Sequence, residues 1–100
     1  MKRQETLNLL GLAMRARKVI LGPDFVLKQL QEPNSLVFLA SDCGENIRKK
    51  VASKATTHKR TVITEFTTDE LSAAIGKQNR NLMMVQDKGF VEKFIEYMNS

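Results

Sequence analysis

The stretch VILGPDFVLKQL, residues 19–30, contains two patterns that cannot belong to one element. Val19-Ile20-Leu21 is a short apolar run and reads as a strand. Gly22-Pro23-Asp24 stops it. From Asp24 to Gln31 the apolar residues return at helical spacing, and Pro33-Asn34 ends that pattern. A strand passing into a helix with almost no loop is the repeating step of an alternating α/β chain. It also leaves backbone N–H groups free at the helix start, where an anion or a polar nucleic-acid edge can sit.

The rest of the chain continues the alternation. Thr6 to Arg15 reads as a helix with Leu9, Leu12, Ala13 and Ala16 on one face. Gly11 either weakens that helix or lets a neighbour come close. Leu36 to Ala40 is apolar on both faces, as a central covered strand requires. Glu45 to Thr56 is a helix with Ile47, Val51, Ala52 and Ala55 inward, followed by a strand at Thr61-Val62-Ile63. Thr67 with Glu70 three residues on is a capping box, so a helix opens there, with Leu71, Ala74 and Ile75 inward. Asn81 to Gln86 is a strand. Gly89 to Met98 is a helix whose Phe90, Val91, Phe94, Ile95 and Met98 share one face. The order αβαβαβαβα predicts an α/β fold, a three-layer αβα sandwich on a four-stranded sheet, with residues 1–100 as a single domain.

Composition narrows the functional classes. The chain is 42% hydrophobic and 27% charged, as expected of an ordinary globular protein. Its longest apolar run, Leu36 to Ala40, is far too short to span a membrane. No signal-peptide pattern is visible at the start, and a single cysteine excludes an internal disulfide framework. These features imply a reduced, cytoplasmic setting. The net charge is +5, and it is uneven. Residues 1–60 carry twelve Lys/Arg against five Asp/Glu; residues 61–100 carry four against six. A basic balance favours polyanions, RNA and DNA first among them.

Catalytic chemistry finds little support. Cys43 lies between a strand end and a helix start, a place that can activate a thiol, but Asp42 opposes this and His58 is the only histidine. There is no Gly-rich phosphate loop and no Ser-His-Asp constellation. Three regions suit binding better. Arg48-Lys49-Lys50 with Lys54, then His58-Lys59-Arg60, is either a solvated helix face or a phosphate-attracting one. Lys77-Gln78-Asn79-Arg80-Asn81 is either a plain loop or a set of amides and cations for base edges and phosphates. The third is the Gly22 junction. There Gly22 can take a positive φ, Pro23 suits the first helical position and Asp24 can cap. Asp24 also makes the helix start less inviting to phosphate. Lys28 lies one turn on, and Arg17 and Lys18 precede the strand.

The succession RARKVILGPDFVLKQL, LVFLASDCGENIRKK, TTDELSAAIGK and LMMVQDKGF resembles the kink-turn-binding ribosomal protein family, of L-seven-Ae and L-thirty-e type. It looks most like the small bacterial YlxQ-like members, and the resemblance covers essentially the whole chain. It implies the same αβα fold on a mixed four-stranded sheet, binding of structured RNA (ribosomal RNA in particular), no cofactor, no membrane, no small-molecule substrate and no enzymatic activity. With the regions read above it gives an expected RNA-binding set of Lys18, Gly22, Pro23, Asp24, Phe25, Lys28, Thr68, Lys77, Gln78, Asn79 and Arg80, although many family members carry an apolar loop where Lys77–Arg80 stand. Gly22 and Lys28 agree with the family pattern. Asp24 stands where an Asn is usual, Phe25 where a Glu is usual and Thr68 where a lysine is usual. Asp cannot donate as an amide does, but Phe25 can stack on an exposed base and Arg80 can clamp phosphate. The alternative is a protein-interaction module on the same fold, favoured by an Asp-Phe pair at the helix start.

Overall fold

The computed structural model describes residues 1–100. Nine elements alternate as expected: α1 (Arg3–Arg15), β1 (Val19–Leu21), α2 (Pro23–Gln29), β2 (Ser35–Leu39), α3 (Glu45–His58), β3 (Thr61–Ile63), α4 (Thr68–Ile75), β4 (Leu82–Gln86) and α5 (Lys88–Met98). The strands form one mixed sheet in the order β1-β4-β2-β3. β4 runs antiparallel to β1 and to β2, while β2 and β3 are parallel. β1, β2 and β3 therefore all finish at one end of the sheet, and β4 starts there. We call that end the rim.

Alternation along the two central strands builds two cores. Leu36, Phe38 and Ala40 with Met83 and Val85 face α1, α4 and α5, where Leu10, Ala13, Leu71, Ile75 and Phe94 meet them. Val37 and Leu39 with Leu82 and Met84 face α2 and α3, where Val26, Leu30 and Val51 meet them. The first core is centred on Phe38, with Phe94 edge-on at 5.1 Å between ring centroids and Phe66 at 6.4 Å. Each such ring, fully buried, contributes ~1.5–3 kcal/mol.

Several helix faces and ends differ from the sequence reading. α1 starts at Arg3 rather than Thr6, and Thr6 is fully buried, its hydroxyl satisfied by donating to the Lys2 carbonyl at 2.6 Å. The face that packs is Thr6, Leu10 and Ala13, so Leu12 is left 49% exposed. Ala16 also lies outside the core, at the helix end. Gly11 does serve close approach: a Cβ there would lie 2.9 Å from the Ala74 carbonyl oxygen of α4. α2 begins one residue earlier than expected, at Pro23, and ends at Gln29 rather than Gln31. Arg60 reaches back to take the Leu30 and Gln31 carbonyls at 2.8 and 3.0 Å. In α3, Val51 and Ala55 are buried but Ala52 is exposed, and Lys59 closes the helix in a left-handed conformation. β2 begins at Ser35, one residue before the expected start, and β4 at Leu82, one residue after it. Ile95 of α5 is partly exposed.

The capping box of α4 is present in full, with the Glu70 N–H donating to Thr67 and the Thr67 N–H donating to Glu70. Glu70 also takes both ends of the Arg3 guanidinium, at 2.6 and 3.1 Å, and Arg3 in turn lies 4.8 Å over the Phe66 ring. This arrangement ties α1 to the start of α4. The Arg3 hydrogen bond, with the Thr67 backbone helping, pulls the Glu70 carboxyl down to about 2.

Candidate nucleic-acid interface

The rim collects the segments that follow β1, β2 and β3 and the one that precedes β4. Leu21 pairs with Met83, and Leu39 with Leu82. Gly22 and the end of the 77–81 segment therefore lie on adjacent strands, ~5 Å apart in the pairing direction. Ser41–Gly44 comes next, and Thr64–Thr68 beyond it. The two loops singled out from sequence, at Gly22 and at Lys77, are neighbours here despite lying more than fifty positions apart in the chain.

Gly22 has φ +95° and ψ 130°, a conformation that a side chain strains, and it serves as the N-cap of α2. Pro23 takes the first helical position, as expected. Asp24 does not cap: no side chain accepts from the helix start, because Gly22 occupies the capping position and Asp24 lies already within the first turn. Phe25 is 65% exposed, the largest exposure of any big apolar side chain in the protein. Its ring folds towards Gly22, where an added Cβ would come within 3.5 Å of Cδ2. The aromatic ring therefore lies at the rim rather than in either core. Lys28, on the exposed side of α2, is ~8 Å along the helix axis from Pro23.

The 77–81 segment is held by its backbone. Gly76 ends α4 in the left-handed region at φ +70°, and Asn79 adopts φ +56°. The Lys77 N–H donates to the Ser72 carbonyl at 2.9 Å. The Ser72 hydroxyl accepts from the Arg80 N–H at 2.9 Å and donates to the Arg80 carbonyl at 3.2 Å. Lys77, Gln78, Asn79 and Arg80 are consequently exposed around a fixed turn, while Asn81 is half-buried and its carbonyl accepts from the Ala40 N–H. Neither Lys77 nor Arg80 has a carboxylate within 4 Å; the ion pairs of the protein are Arg3–Glu70, Lys18–Asp87 and Lys93–Glu96.

Two other expected positions are placed differently. Thr68 is at the rim, but both its N–H and its hydroxyl donate to Asp42, at 2.9 and 2.7 Å. These bonds hold the Asp42 carboxyl below the usual carboxylate range. Lys18 lies at the opposite end of β1, where its carbonyl accepts from Gln86 and its ammonium is 3.8 Å from Asp87. Cys43 is half-buried against both cores, at the start of α3, and His58 is at the far end of that helix, ~20 Å away. The two cannot act as a pair.

Sequence reasoning missed Ser72 and Asp42. Ser72 left a signal, since it is a lone hydroxyl on the otherwise apolar Leu71–Ile75 turn. Asp42 left none, because its partner Thr68 is 26 residues away.

The fold is a layered α/β sandwich whose rim presents polar and cationic side chains. The profile of the Ribosomal protein L7Ae/L30e/S12e/Gadd45 family matches residues 4–95, and the chain belongs to that family. The resemblance read from the sequence motifs is thereby borne out. Two relatives carry the name RNA-binding protein YlxQ. The one from Bacillus subtilis (strain 168) is 37% identical over 100 residues, covering 99% of this chain and all of its own. The one from Enterococcus faecium is 37% identical over 92 residues, covering 91% of this chain and 88% of its own. A solved structure of a protein with unknown function from Bacillus halodurans C superposes with a TM-score of 0.87 at 35% identity, covering 95% of this chain and 97% of that one.

Proposed function

We propose that this protein is a non-catalytic RNA-binding protein of the cytoplasm that recognises structured RNA of kink-turn type, ribosomal RNA being the expected setting. The observation that carries this reading is the rim itself. An exposed aromatic ring at Phe25 lies at the same rim as a loop presenting Lys77 and Arg80, neither of them paired with a carboxylate. Stacking on a splayed base and neutralisation of nearby phosphates are what such a surface offers. The names of the two YlxQ relatives support the same ligand class. Lys28 extends the contact along α2. Lys18 contributes less than its neighbours, because it is paired with Asp87 at the other end of β1.

Titration of a kink-turn RNA and of an unrelated hairpin, each at several salt concentrations, tests the reading. Tighter binding of the kink-turn RNA is expected at every salt concentration. Equal affinities that vary with salt alone would sink specific recognition. Phe25→Ala is expected to weaken binding by ~1–3 kcal/mol through lost stacking. Lys28→Ala should weaken it as well, with a shallower salt dependence. If neither substitution matters, the contact surface is elsewhere. The exposure of Phe25 also suits a protein partner, the second reading. A partner that co-purifies and survives nuclease treatment would favour it.

A further inference from the structure

The layer of α2 and α3 carries a second feature that the rim does not use. α2 and α3 pack side by side. Between them runs an open groove of about 550 Å³, lined by Leu27 of α2 and by Lys49, Lys50, Ser53 and Lys54 of α3. These α3 residues occupy positions i, i+1, i+4 and i+5, so they share one flank of the helix. All four are exposed, and no carboxylate lies within 4 Å of any of the three ammonium groups.

The neighbouring cations are used differently. Arg48 donates to the Ser41 carbonyl at 2.9 Å, and Arg60 holds the end of α2. Both arginines therefore serve the fold, and the three lysines do not. The acidic residues within the two helices, Asp24 and Glu45, lie in their first turns, at the rim end, and Glu32 follows α2 at the other end. Nothing in the groove offsets its charge, and a concave site lined by one sign of charge concentrates its field. Leu27 is the only apolar wall, which gives a protein partner little to bury.

Spacing favours a polymer over a single anion. Lys50 and Lys54 lie ~6 Å apart along the helix axis, on the scale of successive phosphates on one nucleic-acid strand. The groove also shares α2 with the rim: Phe25 is at the helix start and Leu27 is on its flank. We propose that the α2–α3 groove is a second RNA contact, a track for the phosphate backbone of a stem that leaves the rim. Lys49, Lys50 and Lys54 neutralise phosphates there and Ser53 donates a hydrogen bond. This proposal rests on the RNA-binding reading of the rim.

The test uses the full chain and two RNAs, a kink-turn hairpin with both stems extended and the same hairpin with its stems trimmed to the kink. Dissociation constants are measured across a KCl series for the wild type, for Lys49→Ala/Lys50→Ala/Lys54→Ala, and for Lys88→Ala/Lys93→Ala, which removes two cations from the opposite layer. On the extended RNA, the triple variant should lower the slope of log affinity against log salt by ~2–3, since each phosphate contact contributes ~0.7–0.9. Affinity at the lowest salt should fall at least tenfold. On the trimmed RNA the triple variant should lose much less, and the Lys88/Lys93 variant should keep the wild-type slope on both. An unchanged slope in the triple variant, or an equal drop in the Lys88/Lys93 variant, overturns the groove and leaves the rim standing. Failure of the wild type to bind either RNA overturns both.

Discussion

Gly11→Ala sets two known effects against each other. In an exposed helix interior, replacing Gly by Ala stabilises by ~1 kcal/mol through backbone entropy. Here Gly11 is buried against α4, and the new Cβ would lie 2.9 Å from the Ala74 carbonyl oxygen. That oxygen is backbone, so no side-chain rotation relieves the contact. α1 must move away from α4, and overpacking of this kind costs ~1–3 kcal/mol. The same shift would pull Arg3 from Glu70 and Leu10 from its neighbours in the core that faces α4. The steric term wins, and a net loss of up to ~2 kcal/mol is expected. For a domain of this size each kcal/mol is worth ~4–8 °C of Tm. Urea unfolding followed by circular dichroism, with a thermal scan beside it, measures both. A Tm equal to or above that of the wild type would refute the reasoning, since it would mean that the two helices have room to spare.

Gly22→Ala tests strain rather than contact, because the added Cβ meets only Phe25 at an ordinary 3.5 Å while φ stays at +95°. A cost of ~1–3 kcal/mol is expected; unchanged stability in urea would show that the turn relaxes freely. Ser72→Ala removes the partner of the Arg80 N–H and should cost ~1 kcal/mol. Amide exchange at Arg80 should quicken, and unaltered exchange would show that Ser72 does not hold the loop. Acid should expose the Arg3–Glu70 link. The Glu70 carboxyl falls from 4.5 to about 2 on folding, so its ionised form stabilises the fold above the ordinary value, and that support is lost as pH drops through about 2. Glu70→Gln should therefore lower Tm at neutral pH, with the gap to wild type closing across that window; a gap that stays constant would dismiss the link.

The alternation of elements was readable because each element carries its own period. VIL and LVFL are too short and too apolar to be helices, and the last helix repeats its apolar face without a break. What the chain does not write locally was not readable. α2 ends two residues short of its pattern, and Arg60, from far along the chain, takes the Leu30 and Gln31 carbonyls just beyond it. Leu12 is exposed because Thr6 and Gly11, not a leucine stripe, decide which side of α1 turns inward. In the interface, Gly22 and the 77–81 loop were recognisable as turns by their residue types, and only the antiparallel pairing of β1 with β4 makes them neighbours. That same pairing sends Lys18 to the far end of the sheet, although it is only four positions from Gly22. The lysine groove needed both helices, since α3 alone shows a basic flank and cannot reveal that Leu27 closes it.

The position of β4 in the sheet has a consequence for how the surface comes into being. β1 has no strand partner except β4, and β4 is the last strand in the chain. At synthesis rates of ~5–20 residues per second, Gly22 waits ~3–12 s for Asn81 to be made. The entropic penalty of joining ends so far apart grows only slowly with length, by ~0.6 kcal/mol per doubling, but contacts of such long range slow the folding step itself. Until Leu82–Gln86 inserts, a nascent chain can pair β2 only with β3, and α2 lacks half of the floor it packs on. The rim is thus assembled in one late event, and a chain halted before β4 carries most of its residues without the strand that sets them side by side.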